Sequence, residues 1–387
     1  MSDEYYKGDP SQESIQVDTK SETDKKCPSC GGVMDFDPAS GGLACPFCGF
    51  KQEIAVADRN FTAVELDFNS AEDEENCDWG TTTKTVICKS CGAATVYEQK
   101  QIANECPYCG SNQVMEEASG NVMAPGGVVL FKINMQTAAE RFKKWIGGKF
   151  FCPKLAKESA KPEAFHGLYV PFWTFDTDTE SRYNGEYGID SSYKDKDGNT
   201  KTRTDWYRVS GRYSESFDDV LVCGSSEQKE AMIGALEPFD TKQVVQYKPE
   251  YMAGFSAERY TVKMKNAWEK AKEKIKRILR GNVESKVRTE KSADSVRNMN
   301  INTEFNNITY KYLLLPILIY SFKYNNKVYN FMVNGQTGKV SGNTPISWIK
   351  VAITVIVVIA AIAIIMHFLN QDSNAAEYMI KSMQNYI

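Results

Sequence analysis

Eight cysteines in the first third of the chain form two quartets with the same internal spacing. Each quartet consists of two Cys-x-x-Cys pairs separated by 14 residues, and each pair is followed directly by glycine. A Cys-x-x-Cys turn brings two sulfurs to one edge of a tetrahedron, and a hairpin arm of this length returns the second pair to complete it. The spacing therefore predicts two closed four-cysteine sites that bind two zinc ions. Their ligands are Cys27, Cys30, Cys45 and Cys48, and Cys88, Cys91, Cys106 and Cys109.

Length and composition indicate what must position these sites. The chain has 387 residues, of which 42% are hydrophobic and 12% aromatic, so a sizeable globular core fits beside the cysteine-rich segments. The predicted fold class is α+β, with two small zinc ribbons, a β-rich antiparallel domain with a few helices, and one C-terminal transmembrane helix. The predicted boundaries are a disordered segment 1–26, zinc ribbons 27–50 and 88–115 joined by an acidic linker 51–87, the α+β domain 124–345, the transmembrane helix 349–369, and an extracytoplasmic tail 370–387.

Hydrophobic periodicity places the elements of the α+β domain. An apolar run predicts a strand at 128–131, an aromatic β-prone run one at 168–175, and alternating residues predict strands at 183–189 and 203–222. A two-residue hairpin predicts strands at 310–324 and 327–333, and a short final strand follows Gly338. A period of about 3.6 residues predicts helices at 137–150 and 256–280. The segments 194–199 and 325–326 have the composition of hairpin turns. The first is not a calcium loop, because Tyr193 would occupy its first ligand position.

The predicted helix 256–280 admits two interpretations. The simpler one is a helix with an apolar stripe on the core and a solvated basic back. The alternative is contact between the basic face and anionic lipid headgroups. The stripe consists of Met264, Trp268, Ala271, Ile275, Ile278 and Leu279, and the basic face includes Lys263, Lys270, Lys274 and Arg277.

A long apolar run follows the α+β domain. Residues 351–369 are 19 positions without a formal charge, which at about 1.5 Å per helical residue approaches the thickness of a hydrocarbon core. Trp348 and Lys350 stand where interfacial anchors are expected. The alternative, a buried core helix, fits less well because soluble helices rarely stay apolar on every face. The first 16 residues have no apolar core, so no signal peptide is expected there.

Two arguments predict that the amino-terminal side of this span is cytosolic. Lys327, Lys339 and Lys350 precede the span, whereas Lys381 alone follows it. Thiolates that bind zinc also need a reducing compartment. The expected localisation is therefore the cell membrane, single-pass, with a cytoplasmic N-terminus.

Charge argues against nucleic acid as a partner. The chain has a net charge of −4, and ribbon 27–50 contains Asp35 and Asp37 but no Lys or Arg. Four thiolates around one divalent ion add a formal charge of about −2 at each site, whereas a phosphate-binding surface needs the opposite sign. A nucleic-acid-binding protein of transcription or replication restart is kept as the alternative function. The acidic run 65–78 is interpreted as a solvated linker, with a partner-binding segment as its alternative.

Residues suited to catalysis are scarce. The two histidines are His166 and His367, and the second lies within the apolar run. Cys77, Cys152 and Cys223 lie outside the quartets and are expected to be buried small side chains. No P-loop, dinucleotide fingerprint or nucleophile elbow is present. No catalytic or cofactor-binding residue is predicted, and the chain is not expected to be an enzyme.

Several short motifs accompany the two cysteine quartets. They are Tyr169-Val170-Pro171-Phe172-Trp173, Leu236-Glu237-Pro238-Phe239-Asp240, Tyr251-Met252-Ala253-Gly254-Phe255 and Val333-Asn334-Gly335-Gln336-Thr337-Gly338-Lys339. In this order, before a membrane span, they resemble bacterial membrane-anchored double zinc-ribbon proteins, often named TFIIB-type zinc-ribbon or primosomal helicase-like. The resemblance implies a link to envelope stress, because similar Bacillus proteins are encoded beside a phage-shock protein A homologue and help to hold stress proteins at the membrane.

The sequence thus predicts a non-enzymatic, membrane-anchored adaptor or scaffold with two structural zinc ions. The expected partners are the membrane and a cytosolic protein such as a phage-shock-like or flotillin-like protein. The identity of that protein and the oligomeric state stay open.

Overall fold

The structure is a computed structural model. It describes residues 15–18, 21–22, 26–54, 61–70, 83–87, 94–98, 101–105, 112–114, 125–158, 165–225, 230–258, 260–325 and 327–384. Among the residues described before position 125 there are ten short strands: β1 Ile15–Asp18, β2 Ser21–Glu22, β3 Asp35–Asp37, β4 Gly42–Ala44, β5 Lys51–Gln52, β6 Leu66–Asp67, β7 Thr83–Ile87, β8 Ala94–Glu98, β9 Gln101–Glu105 and β10 Asn112–Val114. The remaining elements are β11 Gly127–Val129, α1 Met135–Gly147, α2 Lys154–Lys157, β12 His166–Lys194, β13 Thr200–Cys223, α3 Glu230–Gly234, β14 Val244–Val245, β15 Ser256–Glu258, α4 Met264–Lys291, β16 Ser295–Tyr324, β17 Lys327–Asn334, β18 Val340–Gly342 and α5 Trp348–Gln384.

Three long antiparallel strands dominate the fold. β12, β13 and β16 are 29, 24 and 30 residues long, and β12 lies between the other two. At about 3.3 Å per residue, β12 alone follows a path of roughly 90 Å. β17 pairs with the end of β16 and β18 pairs with β17, while β11 adds to β16 in parallel. The α+β prediction is confirmed in this coarser form: a curled antiparallel sheet, few helices, and one apolar C-terminal helix.

The long strands bend at three β-bulges. β13 and β16 each place two residues opposite one residue of β12 near Asp176, and β16 does so again near Gly185. The bulged residues Asp219, Asn307 and Asn298 have φ of 50°, 52° and 53°. Asp and Asn tolerate this left-handed region better than other residues with a Cβ. A bulge increases the local twist, so the sheet curls instead of extending flat.

One face of this sheet is covered by α4. Buried residues of the helix recur at helical spacing. Val283 and Val287 pack with Tyr183 and Met299, in the half of the β12–β13 hairpin that leads to its turn. The simpler interpretation of the basic helix predicts such a core-facing stripe, although Ile278 is 40% exposed and does not belong to it. Lipid contact by the basic face stays a prediction. The buried residues are Met264, Ala267, Trp268, Ala271, Ile275, Leu279, Val283 and Val287.

The predicted bounds of α4 are wrong at both ends. Residues 256–258 form β15, which pairs in parallel with β12. The helix then continues past Gly281 to Lys291, and Ser292, with φ of 50°, ends it. Gly281 looks like a helix terminator in the sequence, but helices tolerate a single exposed glycine at a cost of about 1 kcal/mol. Apolar burial at Val283 and Val287 outweighs that cost.

Several predicted strands are longer than expected. Predicted strands 168–175 and 183–189 are parts of one strand, β12, and predicted strand 310–324 begins at Ser295. The hairpin turns at 194–199 and 325–326 are confirmed by the pairings Lys194 with Thr200 and Tyr324 with Lys327. Helix 137–150 and strand 128–131 are confirmed with shifts of a few residues.

The sequence motifs 236–240 and 333–339 pack on each other at the end of β17. The buried Asn334 amide donates to the carbonyls of Leu236 and Pro238, at 3.1 Å each, and its oxygen accepts from the backbone N–H of Gln336 and Thr337. Because every buried polar group needs a partner, this single side chain fixes the 236–240 loop against the 333–339 turn. Both motifs therefore have a structural role.

The C-terminal helix is longer than predicted. α5 begins at Trp348 and continues to Gln384, so most of the predicted tail 370–387 is helical. Ala375, Ala376 and Glu377 are strong helix formers, which explains the extension. Within the described residues, Trp348–Met366 is one helical stretch long and apolar enough to cross a membrane, and it is not buried in the protein.

Candidate metal centre

The four cysteines of the first quartet come together at one point. Cys27 Sγ lies 3.4 Å from Cys48 Sγ, and Cys30 Sγ lies 3.5 Å from Cys45 Sγ. All four sulfurs lie within 4.8 Å of one another. Four sulfurs around one zinc ion at about 2.3 Å stand about 3.8 Å apart, so a single ion fits at the centre of this cluster. Both short contacts join one Cys-x-x-Cys pair to the other, as a shared tetrahedral site requires.

Tight glycine turns hold the two pairs in place. Gly31 and Gly49, which follow the pairs, have φ of 77° and 75°. Their N–H groups donate to the carbonyls of Cys27 and Cys45 at 2.8 and 3.0 Å. A residue with a Cβ is strained in this conformation, which explains why glycine follows each pair. The antiparallel strands β3 and β4 form the predicted hairpin arm that returns the chain to Cys45.

The electrostatics of the cluster suit a cation. Burial disfavours the Cys45 thiolate, but the backbone N–H groups of Cys48 and Phe47 and the Cys30 thiol lower the pKa of Cys45 to about 7. At Cys30 the Gly32 N–H favours the thiolate, yet hydrogen bonds with the other cysteines raise the pKa of Cys30 to about 12. The four sulfurs can therefore carry their full negative charge together only around a bound cation. Four sulfur ligands leave no open coordination position, so such a metal would be structural.

The hairpin of this quartet is attached to the core of the main domain. Phe36 of β3 is 3% exposed and packs edge-on against Tyr251, with ring centroids 5.8 Å apart. The Phe36 N–H donates to the Ala253 carbonyl at 3.1 Å. Gly254, with φ of 78°, would place a Cβ 3.1 Å from Asp35. The 251–255 motif is thus the docking site for the hairpin of the first quartet, a role that the sequence did not reveal.

The turn 45–50 of the quartet is apolar and uncharged. Phe47, between Cys45 and Cys48, is 77% exposed, and Phe50 is 37% exposed. No Lys or Arg occurs between residues 27 and 50. An exposed aromatic side chain on a rigid turn suits contact with a protein better than contact with phosphates.

The second quartet, Cys88, Cys91, Cys106 and Cys109, lies outside the described residues, and so does Cys77. The strands around its second pair are described. β9 and β10 are antiparallel, with Glu105 opposite Asn112, and β4 and β5 place Ala44 opposite Lys51. In both cases the residue before a Cys-x-x-Cys pair faces the third residue after it. The backbone around the two pairs therefore has the same register.

A second cluster of charged groups was missed by the sequence reasoning. Lys311 is 8% exposed, and its Nζ lies 2.8 Å from Asp219, 3.4 Å from Asp176 and 3.3 Å from Glu65. Burial disfavours the charged lysine, but Asp219 above all, followed by the other carboxylates, raises the pKa of Lys311. At Asp219 burial disfavours the carboxylate, but Lys311 lowers the pKa of Asp219 below its usual value. At Asp176 burial outweighs the lysine and raises the pKa. The sequence does contain a sign of this cluster: Lys311 lies within the otherwise apolar run 310–318, and a buried charge needs a partner.

This cluster also corrects the linker prediction. Glu65 opens the acidic run 65–78, yet it contacts Lys311, and β6 just after it pairs with β16. The start of the run is therefore part of the main sheet. Residues 71–78 lie outside the described residues.

The other candidate residues are separate from the metal cluster. Cys152 and Cys223 are 1% and 8% exposed, as expected for small core side chains. Burial raises the pKa of the Cys152 thiol, despite the opposing charges of Lys157 and Lys350. His166 is exposed at the start of β12. It belongs to neither of the two groups of potential metal ligands found among the described residues, which are the cysteine cluster and Asp176, Asp218 and Asp219. The side chain of His367 lies outside those residues.

A comparison with known proteins finds a distant Bacillus relative. The chain is 29% identical over 327 residues to "Uncharacterized protein YdjG" of Bacillus subtilis (strain 168), which covers 84% of this chain and 91% of that protein. No family model and no solved structure matches the chain. The similarity extends over most of the length of both proteins.

Proposed function

We propose that this protein is a non-enzymatic, membrane-anchored scaffold whose metal hairpin presents a docking surface to a cytosolic protein. The observation that carries the proposal is Phe47. It is 77% exposed on the turn between Cys45 and Cys48, while Phe36 of the same hairpin is 3% exposed and fixed to the main domain. A rigidly held aromatic side chain, on a segment 27–50 that contains no Lys or Arg, suits recognition of a protein.

The metal of the first quartet is zinc, and the second quartet binds a second zinc ion. Four thiolates select zinc among the common divalent ions, because its tetrahedral preference and affinity for sulfur match the donor set. The shared register around Cys45 and Cys106 supports the second site. Both ions would hold folded surfaces in place and take no part in a reaction.

The apolar segment of α5 anchors the scaffold, with residues 1–348 in the cytosol. The reducing environment that thiolates need supports this orientation, as does the excess of lysine before the span. The resemblance to double zinc-ribbon proteins suggests that the partner belongs to the envelope-stress response and is a phage-shock-like or flotillin-like protein. A protease added outside intact cells would then leave both quartets uncut, and cleavage within them would reverse the orientation.

The docking proposal is tested by co-purification of the full chain from detergent-solubilised membranes. Wild type is compared with Phe47→Ala and with Tyr207→Ala, a control at a side chain that is 48% exposed on the distant hairpin. We expect a cytosolic protein with wild type and the control, and its loss with Phe47→Ala at unchanged zinc content. Equal recovery from all three proteins would contradict the proposal. Nuclease-sensitive, salt-sensitive recovery of DNA or RNA would favour the nucleic-acid alternative.

A further inference from the structure

An exposed apolar loop lies between α1 and α2, away from the metal centre. Phe150, Phe151 and Leu155 are 66%, 40% and 74% exposed, while their neighbours Cys152 and Ala156 are 1% exposed. The Phe150 and Phe151 rings contact each other edge-on at 5.2 Å. We call residues 148–155, which include the first two residues of α2, the Phe150 loop. Three large apolar side chains pointing outward from an anchored backbone are unfavourable in water.

The Phe150 loop is bonded directly to the first turn of α5. The Ser347 N–H donates to the Phe151 carbonyl at 2.8 Å. Lys350 Nζ donates to the carbonyls of Phe150 and Cys152 at 3.1 and 2.8 Å. The loop therefore sits at the level where the apolar helix begins. If α5 enters a bilayer at Trp348, these side chains meet the headgroup region of the same leaflet.

The apolar surface continues from the loop into the helix. Ile346, Trp348 and Ile349 are 56%, 76% and 75% exposed. Tryptophan favours the boundary between headgroups and acyl chains, which fixes the depth of this turn. The loop and the helix start thus form one continuous apolar surface.

Lysines lie beside this surface. Lys149 Nζ lies 4.7 Å from the centroid of the Trp145 ring, and Lys157 donates to the Gly147 carbonyl at 2.7 Å. These contacts hold two of the charges beside the loop. The lysines of α1, the loop and its flanks are Lys143, Lys144, Lys149, Lys154, Lys157 and Lys350, and the nearby acids in the described segment are Glu140 and Glu158, the latter 3.8 Å from Lys154. A basic rim around an apolar patch matches an anionic lipid surface.

We propose that the Phe150 loop is a second membrane contact, which inserts its apolar side chains into the headgroup region beside α5 and prefers anionic lipids. This inference rests on the proposed anchoring by α5. A single helix lets the domain swivel about its axis, whereas a second contact fixed to the core through α1 sets the orientation of the domain on the membrane.

The test uses photo-crosslinking of the full chain in vesicles. A benzophenone amino acid replaces Phe150 or Leu155, both exposed, so the fold is not disturbed; unchanged zinc content verifies this. Ile359, 61% exposed in the middle of the apolar helix, is the positive control for the span. Tyr193, 49% exposed on the distant hairpin, is the negative control. Vesicles of neutral lipid are compared with vesicles containing phosphatidylglycerol.

We expect probes at Phe150 and Leu155 to crosslink lipid at a yield near that of Ile359 and several times that of Tyr193. The ratio of crosslinked phosphatidylglycerol to crosslinked neutral lipid should fall about fivefold for each of Lys149 and Lys154 changed to Gln. If Ile359 crosslinks lipid while both loop probes stay at the Tyr193 level, the inference is wrong and the anchor stands. If Ile359 also stays at that level, the anchoring fails and the inference with it. Crosslinks from the loop to protein would assign the patch to a protein partner or a second copy instead.

Discussion

Replacement of Cys45 by serine tests whether the first quartet is a structural metal site. The matched control is Cys152→Ser, because the two cysteines are 2% and 1% exposed. Both changes bury a hydroxyl group, at a cost of about 1–3 kcal/mol. Only Cys45→Ser removes a sulfur from the cluster. We expect it to lower the zinc content by one ion per chain, and Cys152→Ser to leave the content unchanged.

The packing of the hairpin gives the magnitude of the effect. Met34, Phe36 and Leu43 are 0%, 3% and 1% exposed, and burial of the three contributes roughly 5–9 kcal/mol. Zinc binding in small four-ligand sites is coupled to folding by about 10–16 kcal/mol, which is the larger contribution. Without the ion the hairpin should open, and the main domain should lose the contacts of Phe36, worth about 3–5 kcal/mol. That loss corresponds to a fall in Tm of roughly 10 °C.

The measurement combines metal analysis with hydrogen exchange on the full chain in detergent. In Cys45→Ser the amides of β3 and β4 should lose their protection, while β12 and β16 keep theirs. Cys152→Ser should keep protection in all four strands. If Cys45→Ser retained both its zinc and the protection of β3 and β4, the quartet would not be a metal site that holds the hairpin.

Three further outcomes are expected. Lys311→Met leaves the carboxylate of Asp219 buried without its counterion, so the free energy of unfolding should fall by about 3–5 kcal/mol at neutral pH. In the wild type the folded-state pKa of Asp219 is lowered, so Asp219 contributes stability above the unfolded-state pKa of about 4. This contribution is lost as the pH falls through the folded-state pKa. The deficit of the variant should therefore shrink towards pH 4 in denaturant titrations, and a deficit independent of pH would contradict the ion pair. Asn334→Ala should leave the carbonyls of Leu236 and Pro238 unsatisfied and lower the stability by about 1–3 kcal/mol for each group, whereas the exposed helix residue Thr289 changed to Ala should have an effect below about 0.5 kcal/mol in the same melts. Zinc should be released as the pH is lowered from neutral, because protons compete for the thiolates; metal content that does not depend on pH would argue against cysteine ligands.

The first half of β16 shows why the fold was only partly predictable. Its inward residues are Val296, Met299, Ile301, Thr303, Phe305, Ile308 and Tyr310, which alternate except for two steps of three residues. Those steps contain Asn298 and Asn307, the bulged residues with left-handed backbone. A strict two-residue period fails at each bulge, so the pattern was not recognised as one strand. The signal was present in the sequence, but it needs bulge geometry to be interpreted.

The candidate site was predictable to a different extent. The spacing of Cys27, Cys30, Cys45 and Cys48 is a short-range pattern that can be read from the sequence alone. The structure brings these four sulfurs together as expected. The attachment of Phe36 to Tyr251 joins residues more than two hundred positions apart, and no local pattern encodes such a contact. The charged cluster at Lys311 likewise depends on which strands become neighbours. Short-range spacing therefore predicts the ligands, while tertiary contacts determine where they sit.

The bulges have a further consequence for how the long strands find one pairing. The inward side of β12 contains Thr177, Thr179 and Ser181, similar small side chains that would also fit after a shift of two residues. The bulged residues block such a shift, because each has a fixed partner on β12. The Asn307 amide donates to Asp178 at 2.9 Å, and the Asn298 amide donates to Glu186 at 3.3 Å. A deletion within the turn 195–199 should leave this alignment intact. Deletion of one residue of β16 between Asn298 and Asn307 would shift one bulge relative to its partner on β12. Side chains beyond the deletion would then point to the opposite face of the sheet.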